Sequence, residues 1–457
     1  MTRAENAHPN ERCSVSKDGI FQTWLQERNI EDVEAFVPDM AGSARGKIIP
    51  ADKFGMGQIK MPESVFSQTI SGDYIDDASN VEDRDMLIVP DPTTLCPVPW
   101  LAEPAASVFF DCYRRDGSVV TKSPRAVLRN VLGKFEARGW VPVVAPEVEF
   151  YLLSPHSDPG EAAKPPEGRL GRTENLRQPF SIDTMNDFEP FIDDVYKYCE
   201  VQGVQVDALS QEMGPAQLEI NFKHGNALKL ADQVFLFKRT LREVAILHTM
   251  HVTFLAKPHA EEAGSSLHIH QSILDKGGKN VFSKADGSAS DLFYGYIAGL
   301  QHYMPDAMLV FAPYVNSYRR FASPSSSPVN LAWAIDNRTV GLRVPDSPPE
   351  ARRVENRLAG SDVNPYLVIA ASLACGYLGM VEGLKPTAEA EGSAYSGDFV
   401  LHRHIYAAID AMKNSNAMRS MLGDEFVSLY TALKDAEYSE FQEIITPYER
   451  ETLMFNV

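Results

Sequence analysis

The chain has 457 residues, with 62 Asp and Glu against 43 Lys and Arg for a formal charge of −19, and it is 44% hydrophobic and 23% charged. This is ordinary globular composition, long enough for two or three domains. The acidic balance and the lack of a dense Lys/Arg run argue against nucleic acid as a partner, because a phosphate-binding protein needs a basic face.

In chain order, residues 1–17 are polar and lack the apolar stretch of a signal peptide. From 31 to 92 short β-like pieces (VEAFV, RGKIIP, DMLIVP) are broken by Gly, Pro and Asp, which predicts a small β-rich domain. Prolines 90, 92, 97, 99 and 104 favour an extended connection, and we place a domain boundary soon after them, between residues 113 and 114. A helix is expected from the Ser123 cap, with Pro124 in its first turn, apolar Val127, Leu128, Val131, Leu132 and Phe135 on one face, and Gly139 as its stop. Residues 154–178, polar and rich in Pro and Gly, read as a mobile or interface loop. A long helix is expected over 227–250, and the apolar run 366–381, which contains two glycines, reads as a buried helix and not a membrane span. The mixture is α+β. Cys13, Cys96, Cys112, Cys199 and Cys375 show no C-x-x-C spacing and are expected as reduced thiols in a cytoplasmic protein with no membrane partner.

Four segments carry polar groups at strand period, which aims each set at one side of a sheet. PEVEF places Glu147 and Glu149 two apart, and in QEMGPAQLEINF a turn at Met213, Gly214 and Pro215 brings Glu212 towards Glu219. SSLHIHQS puts His268, His270 and Ser272 on one face, and RRVENR aligns Arg353, Glu355 and Arg357. Five glutamates and two histidines without a cysteine are donors for a hard divalent cation such as Mg²⁺ or Mn²⁺. Five carboxylates exceed the needs of one ion, and a pair of ions suits phosphoryl transfer. Arg319, Arg320, Arg338, Arg343, Arg353 and Arg357 then crowd one segment of an acidic chain, where guanidinium forks match phosphate and carboxylate. No P-loop, no G-x-G-x-x-G after a strand and no G-x-S-x-G elbow occurs.

These motifs, with NSYRR and NLAWAIDNRTVGLRVP in the same order, resemble the glutamine synthetase family from about residue 33 onwards. The resemblance implies an N-terminal β-grasp domain (1–113) and a catalytic domain (114–457) with a curved antiparallel sheet flanked by helices. It implies a homo-oligomer, a dodecamer of two hexameric rings, with sites shared between subunits. One ion is expected on Glu149, Glu212 and Glu219 beside the substrate glutamate, and a second on Glu147, His268 and Glu355 at the ATP phosphates. Arg320 and Arg357 fall where the family holds glutamate, and Gly264 where the backbone approaches it. Arg338, Arg343 and Arg353 fall on the nucleotide phosphates and the transferred group. His270 and Ser272 fall near ATP, and His224 near the adenine.

Two departures narrow the reading. Ammonia-using members carry an acid in the flap after NSYRR, where this chain reads FASPSSSP with Ser326 in the acid's place, and another in a segment that here reads FSQTISG, residues 66–72. An ammonium pocket needs carboxylates to hold and deprotonate the desolvated cation. The chain therefore resembles the γ-glutamylpolyamine and glutamate–putrescine ligase branch, which implies ATP-dependent ligation of glutamate to a primary amine. Ethanolamine, a monoalkylamine or ammonia remain alternatives. Tyr395, in GSAYSGD, does not match the modified tyrosine of some bacterial members and is expected as an exposed loop residue.

Overall fold

A computed structural model describes residues 19–75, 82–155, 158, 160–173, 175–322, 327–396 and 401–457. Residues 1–17, Cys13 and Ser326 lie outside the described residues. Two sheets organise the described residues. The first has six strands, β1 (Asp32–Pro38), β2 (Ala44–Pro50), β3 (Ile59–Pro62), β4 (Asp85–Pro90), β5 (Cys96–Pro97) and β6 (Ala105–Tyr113). Their order is β2-β1-β6-β4-β3 with β5 beside β6, and the parallel β1–β6 pair at the centre is flanked by antiparallel partners. This mixed sheet fits the expected β-grasp.

The helix Pro124–Ala137 follows. Ser123 caps it by accepting from the Ala126 N–H at 3.4 Å, and Gly139 ends it at φ 76°. Its Arg125 is 2% exposed and donates to Asp91 and Asp111 near the first sheet and to Asp232 of the helix Ala227–Leu247, whose Oδ1 also accepts from the Tyr366 hydroxyl. Losing one partner from such a buried ionic set costs about 3–5 kcal/mol. No strand or helix period marked this cluster, because its acids are scattered along the chain.

The second sheet has nine strands: β7 (Trp140–Leu153), β8 (Val206–Gln211), β9 (Gln217–Phe222), β10 (Gly225–Asn226), β11 (His251–Thr253), β12 (Leu267–Asp275), β13 (Trp333–Ile335), β14 (Leu342–Val344) and β15 (Val354–Asn356). The order is β13-β14-β15-β12-β7-β9-β8, antiparallel except for the β13–β14 pair, with β10 and β11 also on β7. β7 is central despite two prolines. The Glu149 N–H donates to Ser266 O on the β12 side, so Pro146 turns its nitrogen to the other edge. There it falls between the stretches paired with β9 and β10, where a missing N–H breaks no ladder bond.

The long helix ends at Leu247, three residues before the expected limit, because Thr249 at φ 55° turns the chain into β11. The apolar run is the helix Pro365–Glu382, capped by Asn364. It is long and apolar enough to cross a membrane, yet most of it is buried inside the protein. Its glycines explain why it is not filled with larger residues. A Cβ on Gly379 would lie 2.1 Å from Gly295 O of the helix Asp291–Phe311, so the two helices touch backbone to backbone. Cys96, Cys112, Cys199 and Cys375 are free and buried.

Candidate active site

The ladder registers put the charged residues in rows across one face of the second sheet. His270 lies opposite Glu355, Glu355 opposite Arg343, His268 opposite Glu147, and Glu149 opposite Glu219. Period-two alternation supplies the common face. Glu212 stands one residue beyond β8, in a hairpin turn where its N–H donates to Gln217 O at 2.7 Å and Ala216 takes a φ of 53°.

Among the described residues, two triads have donor atoms mutually within 4.8 Å: Glu147, His268 and Glu355, and Glu149, Glu219 and His268. The first is the set expected at the phosphate ion. The second contains two of the three expected at the glutamate ion, while Glu212 stands in the cavity wall near that triad. The chemistry of the donor set fits divalent cations, being carboxylate and imidazole with no thiolate.

The protonation pattern agrees with that fit. Burial and the Glu212 charge push Glu149 up to about 8, and burial with Glu147, Glu149 and Glu212 pushes Glu219 up to about 9. Burial raises Glu212 as well. Glu355 goes the other way, to about 2, since burial is outweighed by Arg357, His270 and His268. Burial likewise opposes ionisation of Glu147, but hydrogen bonds from His268 and His270 hold it well below the usual carboxylate range. Burial and the Arg357 charge lower His268 to about 4, which leaves a neutral imidazole able to act as a ligand. The carboxylates that share this face coexist partly by taking up protons, which a divalent cation would displace.

The arginines pair directly with this face. Arg343 donates to Glu355 at 2.8 Å and to Asp336 at 2.6 Å, Arg357 pairs with Glu355, and Arg353 Nε donates to His270 Nδ1 at 3.2 Å. Arg320, 1% exposed, donates to the Leu358 and Arg357 carbonyls and to the Ser266 hydroxyl, each at 2.9 Å. Arg338 is exposed. A cavity of about 490 Å³ has Glu149, Glu212, His268, Gly264, Arg320, Arg338 and Arg357 in its wall.

Two expected residues stand apart. His224 is exposed between β9 and β10, and half-buried Ser272 lies further along β12, opposite Val143 and beyond the carboxylates. Tyr395 corrects an expectation: it is half-buried and lines the cavity, because residues 394–396 fold back over the site, with Ala394 O accepting from Asn330. Other contributors were unforeseen. Ser266 N–H donates to Glu149 at 2.7 Å, and Gln217 Nε2 does so at 3.4 Å. Both alternate in sequence with a ligand candidate, so strand period could have found them. Arg177 and Phe180 also line the cavity, with Arg177 held by Glu262 at 2.8 Å. They come from irregular chain that gives no periodic signal.

Comparison with known proteins gives the same family from three directions. Residues 121–453 match the family described as glutamine synthetase, catalytic domain. The chain is 35% identical to the gamma-glutamylputrescine synthetase of Escherichia coli (strain K12), over 94% of this chain and 92% of that one. It is 33% identical to a glutamate–isopropylamine ligase of a Pseudomonas species, over 93% and 95%. The solved GmaS/ADP complex superposes with a TM-score of 0.81 at 26% identity, covering 95% of this chain and 99% of that one.

Proposed function

The chain belongs to the glutamine synthetase family and is an ATP-dependent carbon–nitrogen ligase, and from that premise we propose that it joins glutamate to a diamine or polyamine, putrescine foremost, as a γ-glutamyl amide. The observation that carries the choice of amine is the acceptor side of the cavity. Pro179, Phe180, Met213, Ala260 and Pro328 give it apolar surface for an alkyl chain, and the exposed Glu261 adds a carboxylate for a distal ammonium. Residues 66–72 supply no acid for ammonium. Their Ile70 N–H and Ser71 hydroxyl are bound by Glu437 and Glu440 of the helix Asp424–Gln442.

In this reading the γ-carboxylate oxygen of glutamate attacks the γ-phosphorus of ATP, the bond to the β-phosphate oxygen breaks, and ADP leaves. The amine nitrogen then attacks the γ-carbonyl carbon, phosphate leaves, and the nitrogen passes its proton to the departing phosphate or to a carboxylate of the cavity as the amide forms. Arg320 and Arg357 hold glutamate with Gly264, while Arg338, Arg343 and Arg353 steady the transferring phosphoryl group and the nucleotide. His270, Ser272 and His224 fall to the nucleotide side. Glu149, Glu212 and Glu219 would hold one Mg²⁺ or Mn²⁺ and Glu147, His268 and Glu355 another, and such ions, when bound, neutralise the charge that keeps carboxylate and phosphate apart. We further propose two domains divided at 113/114, assembly as rings with sites between subunits, and a cytoplasmic setting.

Phosphate release with glutamate, Mg²⁺ and ATP, measured separately with putrescine, isopropylamine, ethanolamine and ammonium, tests the choice. Putrescine is expected to exceed isopropylamine in kcat/KM by about tenfold, the value of one added charge-assisted hydrogen bond. Activity with ammonium alone would make the enzyme a glutamine synthetase instead.

A further inference from the structure

Two segments outside the ladder carry much of the cavity wall: the turn 212–216, with Glu212 and Met213, and the stretch 254–266, with Lys257, Gly264 and Ser266. Tyr151 of β7 and Gln217 of β9 face each other in the ladder, and both are buried. The Tyr151 hydroxyl donates to Ala263 O at 2.8 Å. Its ring lies edge-on to His259, with centroids 5.1 Å apart. The same ring fills the space over Gly214, where a Cβ would come within 2.0 Å of the hydroxyl oxygen. Gln217 completes the tie: its Nε2 donates to Gly264 O at 3.1 Å, and its Oε1 accepts from the Gly214 N–H at 2.9 Å.

Consecutive carbonyls, those of Ala263 and Gly264, are thus pinned from neighbouring strands, and both pins also hold the turn that presents Glu212. A phenylalanine would fill the same buried volume, so the hydroxyl adds only the bond to a loop carbonyl beside the cavity. We propose that Tyr151 is a positioning residue for glutamate, whose hydroxyl locks the Gly264 segment to the Glu212 turn and keeps the glutamate contacts in register with Glu149. The proposal rests on the reading of this cavity as the glutamate site.

Tyr151→Phe tests it, with glutamate binding measured by calorimetry in the presence of Mg²⁺ and ADP, alongside steady-state kinetics. Glutamate Kd and KM should rise about fivefold, the scale of one hydrogen bond, while kcat and KM for ATP stay within about twofold. Gly214→Ala, which displaces the ring but leaves the hydroxyl on the protein, should raise glutamate KM as well. Unchanged glutamate KM in Tyr151→Phe, or an equal loss in every parameter, would overturn the proposal. Wild-type protein that binds no glutamate would instead sink the reading of the cavity itself.

Discussion

Glu355→Ala is expected to lose at least a hundredfold in turnover, the upper scale for disturbing a metal's surroundings, while β15 keeps its ladder. The side chain is 1% exposed and meets Arg343 at 2.8 Å, Arg357, and His268 at 3.8 Å. Its removal leaves two guanidiniums without their shared counter-charge and deletes one donor of the triad Glu147, His268 and Glu355. The backbone pairs Ile269–Asn356 and Leu342–Asn356 do not depend on it. Phosphate release and circular dichroism on the same sample check both halves. Glu355→Gln, which keeps the volume and loses the charge, should be nearly as inactive. Turnover within tenfold of wild type in both variants would remove Glu355 from the machinery.

Arg338→Ala should lower kcat by about 10²–10³, the range for losing one preorganised donor to developing transition-state charge. Its effect on stability should stay within about 0.5 kcal/mol, as for other surface positions. Arg338 is exposed in the cavity wall, and no hydrogen bond or ion pair holds its side chain among the described residues. The contrast with Arg320 is physical. That guanidinium is buried, satisfies two carbonyls and a hydroxyl, and is lowered to about 10 by burial. Its loss would disturb fold and binding together. Kinetics and a thermal melt of Arg338→Ala separate the two effects cleanly, and unaltered kcat would dismiss the assignment.

The strands that carry the chemistry were legible because alternation alone places Glu147 with Glu149 and His268 with His270, and the registers then bring those pairs together. The helix from Ser123 was legible from its cap and stop, and the helix Pro365–Glu382 from its apolar run. What escaped the sequence depends on long-range closure. Arg125 finds Asp91, Asp111 and Asp232 from three distant places, and Tyr395 reaches the cavity only because its loop folds back. The sharing of His268 between two triads is also invisible in one dimension, since neither its strand nor its spacing says which neighbour it faces.

The central claim is that crowded carboxylates on one sheet face hold two divalent cations. Titration of the metal-free protein with Mn²⁺, followed by the loss of free-ion electron paramagnetic resonance signal, tests it most directly. Without cations Glu149 and Glu219 keep their protons up to about 8 and about 9. The ion on Glu149, Glu212 and Glu219 must displace protons there, so its apparent affinity should rise between pH 6 and 9 with proton release at pH 7. The ion on Glu147, His268 and Glu355, whose pKa values are all lowered, should show little change over that range. The account predicts two bound ions per chain, one of them lost in Glu219→Ala and the other in Glu355→Ala. Wild-type protein that binds no Mn²⁺, or variants that bind it as wild type does, would contradict it.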